Sequence, residues 1–112
     1  FTDTIKAQTY EETVVNLGSN VGTIDCSAGS VFISSVSAAT TFTFSNAPAT
    51  GTAYAMTLKI DITGTPVITW PASVDWPSAT APTIDAGTDV FTFFTHDGGT
   101  TWYGFQVGNG MA

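Results

Sequence analysis

The chain has 112 residues, a net charge of −7 and only two basic residues, Lys6 and Lys59. Two lysines cannot neutralise a phosphate backbone, so we expect no nucleic-acid partner. No apolar run approaches the roughly 20 residues that cross a bilayer, and we expect no membrane insertion.

The length suits one domain with a core of its own, and we treat residues 1–112 as a single domain. Charged residues are only 10% of the chain, whereas isolated soluble domains usually carry a mixed, charged surface. We therefore expect much of the surface to lie against other chains in an oligomer. Because the sequence begins at Phe1, we also expect it to belong to a longer protein.

The first half of the chain predicts an arm and then five strands. Residues 1–12 are expected to form an extended N-terminal arm that can reach a neighbouring subunit. The strands are rich in Thr, Val, Ile and Phe and are separated by Gly, Ser, Asn and Pro; they cover residues 13–17, 21–25, 31–36, 40–45 and 53–62. In the last of them Tyr54, Met56, Leu58, Ile60 and Ile62 share one face, which predicts a half-buried antiparallel strand.

The second half predicts one more strand, a long loop and a hairpin. The strand covers residues 67–70. The proline-rich connection 71–87 is expected to pack rather than pair, because proline lacks an amide donor. Aromatic strands at 89–95 and 102–105 then flank a polar turn, with Phe91 and Phe93 on one face.

About eight strands result, with no repeat of 20–50 residues evident. We predict an all-β fold, an antiparallel β-sandwich of jelly-roll type, with a compact barrel as the alternative.

Catalytic chemistry has little support in this sequence. His96 and Cys26 are the only residues of their kinds, so metal sites with several His or Cys ligands are excluded. The acidic residues are scattered over turns and strand ends, where solvation or turn capping explains them. We predict no enzyme, no catalytic residue, no metal and no cofactor, and a buried, inert thiol at Cys26.

The turn of the C-terminal hairpin resembles an Asp-box, with the pattern Ser/Thr-x-Asp-x-Gly-x-Thr-Trp. Thr95, Asp97, Gly99, Thr101 and Trp102 occupy its positions. The carboxylate can accept turn amides, and the indole can pack back across the hairpin. The resemblance implies a structural hairpin away from catalysis.

Three tryptophans, Trp70, Trp76 and Trp102, suggest either sugar stacking or packing in a core or interface. Trp76 lies in the middle of a loop, so it is the best candidate for exposure. We take Trp76 and Tyr54 as the candidate ligand or interface residues.

The order of these segments resembles a C-terminal domain in structural proteins of tailed bacteriophages, commonest in tail fibres. Two Trp-Pro pairs followed by the aromatic hairpin carry the resemblance, which covers roughly residues 10–112 and is clearest in segments 41–48, 67–77, 81–83 and 89–105. The family implies a virion protein, most simply a homotrimeric tail-fibre or appendage domain that contacts other virion proteins and a glycan or protein of the host surface. A capsid decoration (cement) or head-fibre protein is the alternative, and a carbohydrate-binding module is another.

Overall fold

A computed structural model describes residues 4–112 as a nearly all-β structure, which confirms the predicted class. Two 3-10 turns, Cys26–Ala28 and Pro77–Ala79, interrupt ten strands. The strands are β1 Val14–Ser19, β2 Thr23–Asp25, β3 Val31–Val36, β4 Thr40–Thr41, β5 Thr43–Ser45, β6 Tyr54–Ile62, β7 Ile68–Thr69, β8 Val74–Asp75, β9 Gly87–Thr95 and β10 Trp102–Met111.

One six-stranded sheet organises the described chain, with the strand order β1-β3-β6-β9-β10-β8. Two smaller sheets pair β2 with β5 and β4 with β7. Only β6–β9 and β9–β10 are antiparallel, whereas the pairs β1–β3, β3–β6, β8–β10, β2–β5 and β4–β7 are parallel. A jelly roll is built from antiparallel strands, so the expectation of an antiparallel fold is wrong for five of the seven strand pairs.

The parallel pairs arise because the chain winds in successive coils. Val14 pairs with Val31, and Val31 pairs with Thr57, so each coil lays one strand beside the strand of the coil before it. The smaller sheets repeat this arrangement on the other sides of the coil, as in a β-helix. The coils differ in length, which explains why the sequence shows no regular repeat.

Asn20 joins the corners of the first two coils. Its backbone is left-handed, with φ of 58°, a conformation that asparagine tolerates better than most residues. Its side-chain oxygen accepts the amides of Ser37 at 2.8 Å and Ala38 at 3.2 Å. Its own amide donates to the carbonyl of Ser35 at 2.8 Å. The hydrogen-bonding groups of this corner residue are thus paired with backbone groups of the next coil.

Gly22 lies at a close approach of two coils. A Cβ atom at this position would overlap the carbonyl oxygen of Thr41, and it would lie 2.7 Å from that carbonyl carbon and 3.1 Å from Cα of Phe42. The carbonyl of Gly22 also accepts the amide of Thr43 at 2.9 Å. Only glycine lets the two backbones come this close.

The core lies between the inner face of the large sheet and the smaller sheets. A central row across the sheet joins Phe32 to Leu58 and Leu58 to Phe91, and all three side chains are fully buried. The predicted alternation along β6 is confirmed: its even-numbered side chains from Met56 to Ile62 are buried. On the opposite side, the Trp70 ring stacks on Phe42, with 5.1 Å between ring centroids.

The connection 71–87 pairs as well as packs, contrary to the sequence-based expectation. Val74 pairs with Trp102 and Asp75 with Tyr103, which forms β8. The prolines stand outside this two-residue strand, so its amides remain able to bond. The ladder then stops at the 3-10 turn that begins at Pro77.

The described part of the expected N-terminal arm, residues 4–12, is exposed and has no regular secondary structure. Positions 1–3 lie outside the described residues. Ser30 donates a hydrogen bond to the carboxylate of Glu12 at 2.7 Å. The arm joins the sheet at Val14.

We predict that Gly22→Ala destabilises the fold by about 3 kcal/mol, because backbone atoms of the next coil cannot yield to the added methyl group. Gly18→Ala is the matched control. Gly18 has φ of 89° and open space where a Cβ would stand, so this variant should lose only about 1 kcal/mol through backbone strain. Urea unfolding of both variants measures the difference. Equal losses would contradict the close approach of the coils.

Candidate functional site

The turn between β9 and β10 is held by hydrogen bonds among the residues of the Asp-box-like pattern. Asp97 Oδ1 accepts the amide of Thr101 at 2.9 Å and the hydroxyl of Thr95 at 3.0 Å. The Thr95 hydroxyl in turn accepts the amide of Gly99 at 3.1 Å. The carboxylate and hydroxyl therefore satisfy backbone donors that the tight turn leaves unpaired.

These bonds also set the charge state of the turn. The amide of Thr101, with added contributions from the hydroxyls of Thr95 and Thr101, lowers the pKa of Asp97 below its ordinary value of 3.8. A hydrogen bond donated to a carboxylate favours its charged form. Asp97 is therefore ionised and occupied in the turn at neutral pH.

Trp102 packs the hairpin onto the rest of the molecule. Its side chain is buried and meets Phe44 edge to face at 5.1 Å and Tyr54 at 6.0 Å between ring centroids. Gly99 lies above the indole, and a Cβ there would stand 3.2 Å from Trp102 Nε1. The hairpin residues and Tyr54 thus form one packed cluster.

Tyr54 has its polar end engaged within the fold. Its hydroxyl donates to the carbonyl of Gly29. Burial, followed by the neighbouring Cys26, raises the pKa of Tyr54 well above its ordinary value. Burial also raises the pKa of the Cys26 thiol, which is buried and unbridged. Neither group is poised as a nucleophile, because the reactive thiolate and phenolate forms are disfavoured.

Trp76 is half-buried. Its ring meets Trp70 at 5.4 Å and Phe93 at 5.7 Å between centroids. Gly104 makes room for it, since a Cβ at Gly104 would stand 2.9 Å from Trp76 Cζ3. Much of the indole is therefore committed to packing.

A cavity of about 430 Å³ adjoins the rest of Trp76, and Val74, Asp75 and Ala79 complete its lining. Next to it Ser78 and Ala79 both have left-handed backbones, with φ of 56° and 55°. Such conformations cost non-glycine residues of order 1–3 kcal/mol and concentrate at functional sites. This is the concave feature that contains a sequence-predicted ligand residue.

Asp89 was expected among the solvated acids but is fully buried on the inner face of β9. Its carboxylate accepts the amide of Gly110 at 2.6 Å, the amide of Asp85 at 3.3 Å and the side-chain amide of Gln106 at 3.4 Å. It fastens the preceding loop to the end of β10. Its place in the alternation, two residues before Phe91, was the signal for an inward side chain.

Within residues 4–112, no group of three or more His, Cys, Asp and Glu side chains could hold a metal ion. His96 is exposed beside the turn and lies 5.9 Å from the Phe94 ring, centroid to centroid. Over the same residues, no helix has the length and apolar character needed to span a bilayer.

The outer face of the large sheet, formed by the outward side chains of its six strands, exposes apolar groups. Its most exposed part is an apolar stripe that follows β10 and the end of β9. The exposed fractions are Phe94 36%, Tyr103 40%, Phe105 48%, Val107 62% and Met111 53%.

Comparison with known protein families, curated proteins and solved structures finds no match for this chain.

We predict that Asp97→Ala lowers the melting temperature by a few degrees at pH 7, because two donors of the turn lose their acceptor. The folded pKa of Asp97 lies below its unfolded value, so this stabilisation is complete above about pH 4. It is lost as the pH falls through the folded pKa. Wild type and variant should therefore converge in acid.

Thermal unfolding followed by circular dichroism between pH 7 and pH 2 measures this convergence. Asp75→Ala is the control, because the Asp75 carboxylate is exposed and makes no side-chain hydrogen bond among the described residues. A difference between wild type and Asp97→Ala that stays constant over this range would contradict the role given to the carboxylate.

Proposed function

We propose that this chain is a structural protein of a tailed-bacteriophage virion, an oligomeric tail-fibre or appendage domain that assembles as a homotrimer. The observation that carries the proposal is the exposed apolar stripe on a chain whose residues are only 10% charged. Contiguous exposed apolar residues are typical of surfaces that bind other proteins. The resemblance of the Trp-Pro pairs and the aromatic hairpin to phage fibre proteins supplies the biological setting.

The polar side chains support a structural role rather than catalysis. Asp97, Thr95 and Asp89 are used up by backbone amides and by one another. The Tyr54 hydroxyl is bonded to a backbone carbonyl. A catalytic acid or base must be free to exchange a proton with a substrate. These side chains are instead hydrogen-bonded within the fold, where they hold loops and coils together.

The proposal predicts that the purified chain has about three times the mass of one 11.6 kDa chain. Sedimentation equilibrium at micromolar concentration measures the mass. Reconstruction of the phage particle that carries the chain then locates it, and we expect density on the tail. A well-folded monomer would contradict the trimer, and absence from the particle would contradict the virion role.

The same reconstruction separates the fibre from a capsid decoration protein. Density of the chain on the head would favour decoration, in which the outer face would lie against capsid subunits. Density on the tail, with one end of the chain pointing away from the particle, would favour host adhesion.

Glycan binding is a second candidate function, favoured by the cavity beside Trp76. An indole edge or face can contact a sugar ring, and the Asp75 carboxylate can accept bonds from its hydroxyl groups. Adhesion to a host surface would use such a site.

We predict that Asp75→Ala weakens glycan binding at least tenfold, as expected when a charged hydrogen bond is lost. Asp75 is the better probe than Trp76, because removing the indole would also remove core packing. A glycan array identifies a bound sugar, and titration of both proteins with it gives the ratio. Asp61→Ala, another exposed acid on the sheet, should bind as wild type does. No binding by wild type, or equal binding by the Asp75 variant, would contradict the site.

A further inference from the structure

We propose that the outer face of the large sheet, centred on the apolar stripe, is the surface through which copies of this chain contact one another. The choice of a second copy as the occupant rests on the proposed function. The exposure, charge and size of this face support it as a contact surface.

Exposure comes from the alternation of side chains along β9 and β10. Phe91 and Phe93 point into the core, so Phe94 on the opposite face, together with Tyr103 and Phe105, is left in solvent. Phe94 and Tyr103 lie on neighbouring strands and stack, with 6.2 Å between ring centroids. No element within residues 4–112 covers them.

Met111 extends the stripe to the end of β10. Its Sδ atom lies over Gly108, where the absence of a side chain leaves space for it. Thr88 and Val90 of β9 pair with Met111 and Gly108 across the ladder. The stripe thus runs along β10 from Tyr103 to Met111, with Phe94 beside it on β9.

Charge favours another copy of the chain at this face. Among the described residues of its six strands, the outward charges are Lys59 and Asp61, which pair at 3.0 Å, and Asp75, which pairs with Tyr103 at the edge of the sheet. One positive and two negative groups leave the face with a net charge of −1 on a chain of net charge −7. Two copies can meet here with few like charges close together, whereas contacts through the acidic turns would set carboxylates against each other.

Size also fits. Five strands about 4.8 Å apart, with 6 to 10 residues each at about 3.3 Å per residue, give a face on the order of 600 Å² before side-chain relief is counted. A stable interface needs about 800 Å² of accessible surface from each partner. The area of the face is therefore of the order that one partner contributes to a standard interface, and a glycan would cover only a small part of it.

The test places a charge in the stripe. We expect Phe105→Asp to shift the sedimentation mass from oligomer to the 11.6 kDa monomer, with at least a tenfold rise in the dissociation constant, because an interface cannot solvate an unpaired carboxylate. Val107→Asp, at a more exposed position on the β10 bulge, should act alike and keeps the test valid if Phe105→Asp fails to fold. Circular dichroism verifies folding.

Val67→Asp is the matched control. Val67 is 69% exposed but lies before β7, away from the large sheet, so this variant should remain oligomeric. Folded Phe105→Asp and Val107→Asp proteins that stay oligomeric would overturn the inference. The inference would also be overturned if the wild type were monomeric and the stripe variants folded but were not incorporated into phage particles. The face would then bind a different virion protein.

The two proposals fail in different ways. A chain found in the virion whose oligomer is insensitive to stripe charges overturns the inference and leaves the proposed function standing. If charged substitutions in the stripe dissociate the oligomer but the chain is missing from the phage particle, the proposed function is overturned and the contact surface is supported.

Discussion

Strand β6 is where the two parts of this molecule meet, because β3 of the coils pairs with one edge and β9 of the hairpin with the other. Phe32, Leu58 and Phe91 form a fully buried row across this junction. Burying one such side chain contributes about 1.5–3 kcal/mol. A slip of one residue in either pairing would turn that row to solvent. The register on both sides of β6 therefore sets which residues are inside and which are outside.

That register gives the sheet two apolar faces with different uses. The inner face is covered by Phe42, Phe44 and Trp70 from the smaller sheets and loops. The outer face carries the stripe that ends at Met111 and is nearly free of charge. Exposed apolar patches of this kind mark interaction sites, which connects the composition of the chain to the association we propose.

Several polar residues of the sequence form hydrogen bonds within the fold and stabilise its loops and turns. Asp97 closes the turn of the hairpin, Asn20 joins two coil corners, and Asp89 holds a loop to β10. Each accepts backbone amides that would otherwise be unpaired. The turn of the aromatic hairpin is thus engaged with itself, and the surfaces open to a partner are the stripe on the strands of the hairpin and the cavity at Trp76.

Local patterns in the sequence determined the all-β class, the two faces of β6 and the position of the aromatic hairpin, because alternation and turn residues act between near neighbours. The parallel coils could not be derived, since Val14, Val31 and Thr57 become partners only through long-range pairing and the coils share no period. The two-residue strand β8, which lies between prolines, could not be predicted either, because it forms only by pairing with the distant strand β10. Likewise, only the tertiary structure decided that Asp89 is buried and that Trp76 borders a cavity, because burial depends on which distant segments pack above a residue.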